Sequence, residues 1–217
     1  MESLQRIGAI AAVLSAIEAL IILALILYFV PSIGVGLSDF ANPAKILPVA
    51  DHPYLKINSL TTVIFSGTTI LIALGVYDFL GGKPRAILLP ALAAAFSASA
   101  FGLLKGVLGL NAGVTIAPLY RANPQQAATI LPAYQMVTHS MQDAGFIAGG
   151  IAAILIGWAG LFNPKLPRAL SALVIVAGIV AIAYTFIIDL RFIQVPLDLV
   201  WNVWLGVVLF RGSAHAG

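Results

Sequence analysis

Gln135, His139, Gln142 and Phe146 recur at i, i+4, i+7 and i+11, so on a helix their side chains share one stripe. Asp143 follows His139 by one turn and lies within its reach. Amides, an imidazole and a carboxylate so arranged are groups that orient a polar head, carry a proton or ligate a metal. The surrounding run is apolar, so a polar stripe there is expected to face a protein interior or a water-filled cleft. Further polar residues fall at comparable depth: Glu18 in the first apolar run, Lys105 in the third, and Asp198 and Asn202 at the start of the last. Glu18, Lys105, Gln135, His139, Gln142, Asp143 and Asn202 together predict a polar cavity in the outer half of a helical bundle. Lys105 is expected to offset Glu18 or Asp143, because an uncompensated charge at that depth is costly.

Each of these residues also has a purely structural reading. Glu18 can join helices as a neutral, hydrogen-bonded carboxyl. His139 and Asp143 can be a satisfied pair within the bundle. Lys105 is close enough to the outer interface to snorkel. Asp189 and Arg191 read as an interfacial pair, and Trp158, Trp201, Trp204, Tyr120 and Tyr134 as belt residues.

Several chemistries lack the residues they need. The chain has no cysteine, which removes disulfides, thiolate nucleophiles, Fe–S clusters and cysteine-ligated zinc. A haem held between helices needs axial ligands at matching depth, and His139 is the one intramembrane histidine; His52 lies in the first outside loop. His52, His139 and Asp143 are the three ligands a metal centre would use, without the spacing of a known zinc motif. Ser140 is adjacent to His139 and so points about 100° away from it on a helix. There is no nucleophile elbow, P-loop or dinucleotide fingerprint. The spans show no three-plus-three inverted repeat and no selectivity-filter motif. No cofactor is expected.

These residues are positioned by elements whose solvent is lipid. Hydrophobic residues make up 61% of the 217, charged residues 9%, and the mean hydropathy is +1.05. Six segments approach the roughly 20 residues that cross a bilayer core. They run over 7–30, 59–80, 86–110, 133–162, 168–188 and 193–210. None alternates as barrel strands do, so the expected fold is an all-α, six-span bundle forming a single transmembrane domain. The first span reads as retained rather than as a cleaved signal.

Basic residues orient the bundle. With the N-terminus inside, Arg6, Lys83, Arg85, Lys165, Arg168 and Arg211 are cytoplasmic, and Lys45, Lys56, Arg121 and Arg191 are outside. Both termini are therefore expected in the cytoplasm, in the cell (plasma) membrane. The net charge of +3 bears on orientation, not on nucleic acid, which is not an expected partner. Two outside segments are long. Pro31 to Asn58 predicts a folded cap with a short helix over 42–49. Asn111 to Pro132 predicts a loop in which Asn123-Pro124 starts a helix that continues through Pro132 into the fourth span. Gly145, Gly149, Ala153 and Gly157 repeat every fourth residue, a ridge that lets another helix approach closely.

Asn163-Pro164-Lys165-Leu166-Pro167-Arg168-Ala169-Leu170-Ser171, followed by an apolar run with Gly178, resembles the cytoplasmic hairpin of the six-span family catalogued as domain of unknown function 4386. Trp204-Leu205-Gly206 and Arg211-Gly212 are similar to that family's C-terminal ending, with the basic residue about one turn later. The resemblance covers the C-terminal third. It implies a six-span fold with no assigned activity and no catalytic residues to carry over.

The expected function is non-enzymatic: binding of a small amphiphile such as a quinone, lipid or isoprenoid, with His139, Asp143 and Glu18 orienting its head. Membrane lipids are the expected surroundings, and a homo-oligomer or a larger membrane complex the expected context. Two alternatives stand beside it. One is an intramembrane metal- or haem-dependent enzyme using His139 and Asp143 with His52. The other is a ligand-free scaffold or assembly subunit whose Gly145–Gly157 ridge is an intersubunit contact.

Overall fold

The computed structural model describes residues 4–34, 42–49 and 52–214, and every regular element among them is helical. Seven main helices follow in order: α1 (Leu4–Ala24), α2 (Pro53–Phe65), α3 (Thr68–Phe79), α4 (Arg85–Ala122), α5 (Pro124–Leu161), α6 (Arg168–Tyr184) and α7 (Arg191–Ala214). An apolar backbone in lipid satisfies its own hydrogen bonds only by coiling, which is why such runs become helices. Five stretches are long and apolar enough to cross a membrane: Leu4–Tyr28, Leu55–Phe79, Arg85–Ala122, Pro124–Leu161 and Phe192–Gly212. The expected fifth span, 168–188, is shorter than anticipated. Its helix stops at Tyr184, where the Thr185 hydroxyl donates to the Ile182 carbonyl at 2.7 Å, and 3-10 geometry follows over Ile188–Leu190.

The second expected span is split. Ser66 and Gly67 separate α2 from α3, and the Thr68 hydroxyl donates back to the Phe65 carbonyl at 2.8 Å. Ser66-Gly67-Thr68-Thr69 is a run of weak helix formers, which explains the position of the break. Its C-terminal end is closed by Gly81 and Gly82, at φ +66° and +67°, a left-handed conformation that favours glycine.

The largest departure lies in 111–132, expected to be mostly loop. α4 and α5 are 38 residues each and meet at Asn123. At 1.5 Å per residue each is about 57 Å long, well beyond a core of about 30 Å. The extension is held by its own small core: Leu47, Ile116, Ala127 and Leu131 are buried, with Ala112, Leu119, Tyr120 and Tyr134 packed on them. The spacing 112, 116, 119, 120 is a helical stripe in its own right. The turn follows the expected chemistry. Asn123 caps α5, its Oδ1 accepting the Gln126 N–H at 3.1 Å, with Pro124 in the first helical position. The helix then runs on through Pro132. The short helix expected in the first outside segment is present as Pro43–Ile46 and a 3-10 turn over Leu47–Val49; residues 35–41, 50 and 51 of that segment lie outside the described residues.

The chain sorts into two compact units. One comprises Met1–Leu20, Phe65–Ala100 and Asp143–Gly217; the other Ile21–Ile64 and Phe101–Gln142. The first has a core of small and aliphatic residues, among them Ala12, Val76, Leu88, Ala95, Ala159, Leu170, Val174 and Leu205. Small residues let its backbones touch. A Cβ on Gly150 would lie 2.6 Å from the Gly178 carbonyl oxygen, and one on Gly157 2.6 Å from that of Ser171. The expected ridge is thus partly spent inside the chain: Gly157 packs on α6, and Gly149 faces Ala98.

Candidate functional site

Four of the seven residues predicted to line a polar cavity belong to one unit: Lys105, Gln135, His139 and Gln142. Glu18, Asp143 and Asn202 belong to the other. Within the first group, α4 and α5 run antiparallel because Asn123 alone separates them. The Tyr134 hydroxyl donates to the Leu108 carbonyl at 3.0 Å and fixes their register. One turn further along each helix from that bond lie Lys105 and Thr138, so Lys105 is level with the stripe that carries Gln135, His139 and Gln142.

Burial on these helices is inverted relative to a water-soluble protein. Gln135 and Gln142 are half-buried, whereas Met136 is 67% exposed and Val137 is exposed too. Lys105 is half-buried beside exposed Leu103, Leu104 and Val107. Glu18 is half-buried between exposed Ile17 and Leu20. Polar side chains turned inward and apolar ones outward is the arrangement that lipid selects. His139 departs from it. Its side chain is exposed, and it forms no hydrogen bond or ion pair with any described residue. Asp143, in the other unit, is half-buried. Among the described residues no group of three or more His, Asp or Glu side chains is placed to hold a metal ion. His52 and His139 lie in one unit and Asp143 in the other.

The most completely built polar cluster is on α7. Gln194, Asp198 and Asn202 stand at i, i+4 and i+8, with Trp201 beside them. Gln194 Nε2 donates to Asp198 Oδ1 at 2.7 Å, and the Trp201 indole N–H donates to the same oxygen at 2.9 Å. Asn202 Nδ2 donates to the Asp198 carbonyl at 2.8 Å. Asn202 is 2% exposed and Gln194 4%. Their carbonyl oxygens, Asn202 Oδ1 and Gln194 Oε1, are buried with no partner. Only Asn202 of this cluster was among the predicted lining residues. The four-residue spacing from Gln194 was the available signal, and it is obscured by Pro196 between the first two members.

A second group the composition does not reveal ties the other end of the same unit. The Gln5 backbone N–H, in the first turn of α1, donates to Asp78 Oδ2 at 3.1 Å. Gln5 Nε2 donates to the Leu209 carbonyl on α7 at 2.7 Å. Lys165 Nζ donates to the Phe79 carbonyl at 3.1 Å and lies 5.9 Å from the centre of the Phe79 ring. The Gln5 N–H and the Phe79 carbonyl are helix-end groups that their own helices cannot satisfy. Asp78 therefore serves the start of α1.

The class that this fold defines is an all-helical chain with five helices long and apolar enough to cross a membrane, the build of a multi-pass membrane protein. Comparison with family models, curated proteins and solved structures found no match.

Proposed function

We propose that this is a cell-membrane protein of six spans, with both termini in the cytoplasm, that binds a small amphiphile without transforming it. The amphiphile is a quinone, lipid or isoprenoid. Its polar head is held by Lys105, Gln135 and Gln142, with His139 at the open edge, and its tail lies against the apolar helix faces. The observation that carries the reading is the inversion of burial on α4 and α5: a lysine and two glutamines turned inward while their aliphatic neighbours are exposed. Burying polar groups in a membrane protein is costly, and a ligand with a matching head is a reason to keep them. The likeness of the C-terminal third to the family of domain of unknown function 4386 is part of the same proposal, since its six-span plan places Arg168–Tyr184 as the short fifth span.

Native mass spectrometry of the detergent-purified protein tests it, comparing wild type with Gln135→Leu, Gln142→Leu and His139→Ala. A lipid-like mass on the wild type that is lost on either glutamine substitution is the expected result. An adduct equally present in all four proteins, or in none, overturns the assignment.

A further inference from the structure

The turn from α6 into α7 is built unlike a connection that runs through water. Phe186 is 80% exposed, Ile187 55%, Ile193 52% and Phe192 48%. Four large apolar side chains shown together on one turn mark a contact surface rather than a solvated loop. The backbone points the same way. The last carbonyls of a helix have no partner within it, and in water they are left to solvent. Here the Ile182 carbonyl accepts the Thr185 N–H at 3.2 Å and the Thr185 hydroxyl at 2.7 Å. The Ala183 carbonyl accepts the N–H groups of both Phe186 and Ile187 at 3.0 Å, and the Leu190 N–H donates to the Ile187 carbonyl at 3.0 Å. A turn that answers its own polar groups in this way is fit for a place where water does not. Its start is anchored: Tyr184 is buried and meets the Phe146 ring edge-on, with centroids 4.8 Å apart.

We propose that this turn is a lipid-binding edge: Phe186, Ile187, Phe192 and Ile193 sit among phospholipid acyl chains, below the level of the headgroups. The length of α6 supplies the reason. At 1.5 Å per residue its 17 residues are about 25 Å long, roughly 5 Å short of a bilayer core of about 30 Å. A span that short draws its flanking residues into the hydrocarbon or thins the bilayer around it. The apolar surface of the turn continues that of the two helices it joins, where Ile179 on α6 and Val200 on α7 are exposed in the same way. Asp189 is exposed in the middle of the turn and sets its upper limit, because a carboxylate stays at the headgroup level. The inference rests on the reading of α6 as a membrane span. It concerns only the unit that holds α6 and α7, which includes none of the residues proposed to hold the amphiphile head.

The chain has no cysteine, so a single introduced one carries a nitroxide label without background. Phe186→Cys, Ile193→Cys and Ile179→Cys replace exposed side chains and remove little packing. Each full-length variant is labelled and reconstituted into vesicles of phosphatidylcholine with a minor share of phosphatidylglycerol. Its accessibility is then read by power saturation with oxygen, which enters hydrocarbon, and with a nickel chelate, which stays in water. The expected result is a strong oxygen effect and a lost nickel effect at 186 and 193, as at 179 in the middle of α6. A nickel effect at 186 and 193 with 179 still shielded overturns the proposal and leaves α6 a span. A nickel effect at all three positions removes the span as well. Labels at 186 and 193 shielded from both reagents would mean that protein covers the turn, which also overturns the proposal.

Discussion

Gly8 on α1 and Gly75 on α3 meet backbone to backbone: a Cβ built on either would lie 2.6 Å from the other's Cα. No real Cβ tolerates that distance, and the obstacle is main chain rather than a flexible side chain. Lipid supplies no hydrophobic force to press helices together, so close backbone packing between small residues carries more of the association than in water. Gly75→Ala is therefore expected to force α1 and α3 apart and to destabilise by about 1–3 kcal/mol, the usual cost of overpacking. Gly67→Ala is the matched control. Its φ is −78° and nothing lies within 4 Å of a Cβ there, so it should leave stability unchanged or raise it. Thermal melts of the two variants decide; equal losses in both would contradict the close-contact reading.

Asp78 acts as a cap for a helix far away in sequence. It accepts the Gln5 N–H, one of the first-turn donors that α1 cannot satisfy itself. Asp78→Ala is expected to cost about 1 kcal/mol, as for other caps, and Asp78→Asn to recover part of that because an amide oxygen still accepts. Lys83→Ala and Arg85→Ala should have no comparable effect. If either matched Asp78→Ala in a thermal melt, the carboxylate would belong to an ion pair across the α3–α4 turn instead.

Tyr134 links α5 to α4 through the Leu108 carbonyl. Tyr134→Phe keeps the ring in its place against Ile116 and Leu131 and removes one hydrogen bond, so a loss of about 1 kcal/mol is expected. The effect should be local. Hydrogen exchange should speed up in the α4–α5 hairpin and stay unchanged in α6 and α7; uniform acceleration would show that the bond is not what sets the hairpin register.

Which parts of this molecule the amino-acid order reveals follows from the range of the forces involved. Apolar runs and the Asn123-Pro124 start are local, and both are found where the residues place them. The 111–122 extension was hidden because its apolar stripe is short and interrupted by Asn111 and Gly113, and it becomes stable only once Ala127, Leu131 and Leu47 pack on it. Gln5 looks like a solvated residue at the mouth of a span, yet it is buried, with partners 73 and 204 positions away. The polar stripe of α5 was legible as a stripe. The exposure of His139 was not, since a helical period shows which residues share a face and not how wide the buried face is.

The ridge at Gly145–Gly157 separates an internal role from an intersubunit one. Gly157 already receives α6: a Cβ there would meet the Ser171 carbonyl oxygen at 2.6 Å and the Ile175 side chain at 2.7 Å. Its neighbour Gly150 is as tightly placed against Gly178 and Ile182. At Gly157, where α6 fills the space, there is no room for a second copy. Gly157→Leu is accordingly expected to lower the yield of folded protein and its melting temperature, by more than about 3 kcal/mol because backbone stands in the way and core overpacking of even a few methylenes costs 1–3. The milder Gly157→Ala should melt early but keep the native mass of the wild type. A Gly157→Ala protein that melted normally and changed its oligomeric mass would place the ridge at a subunit interface and support the scaffold reading.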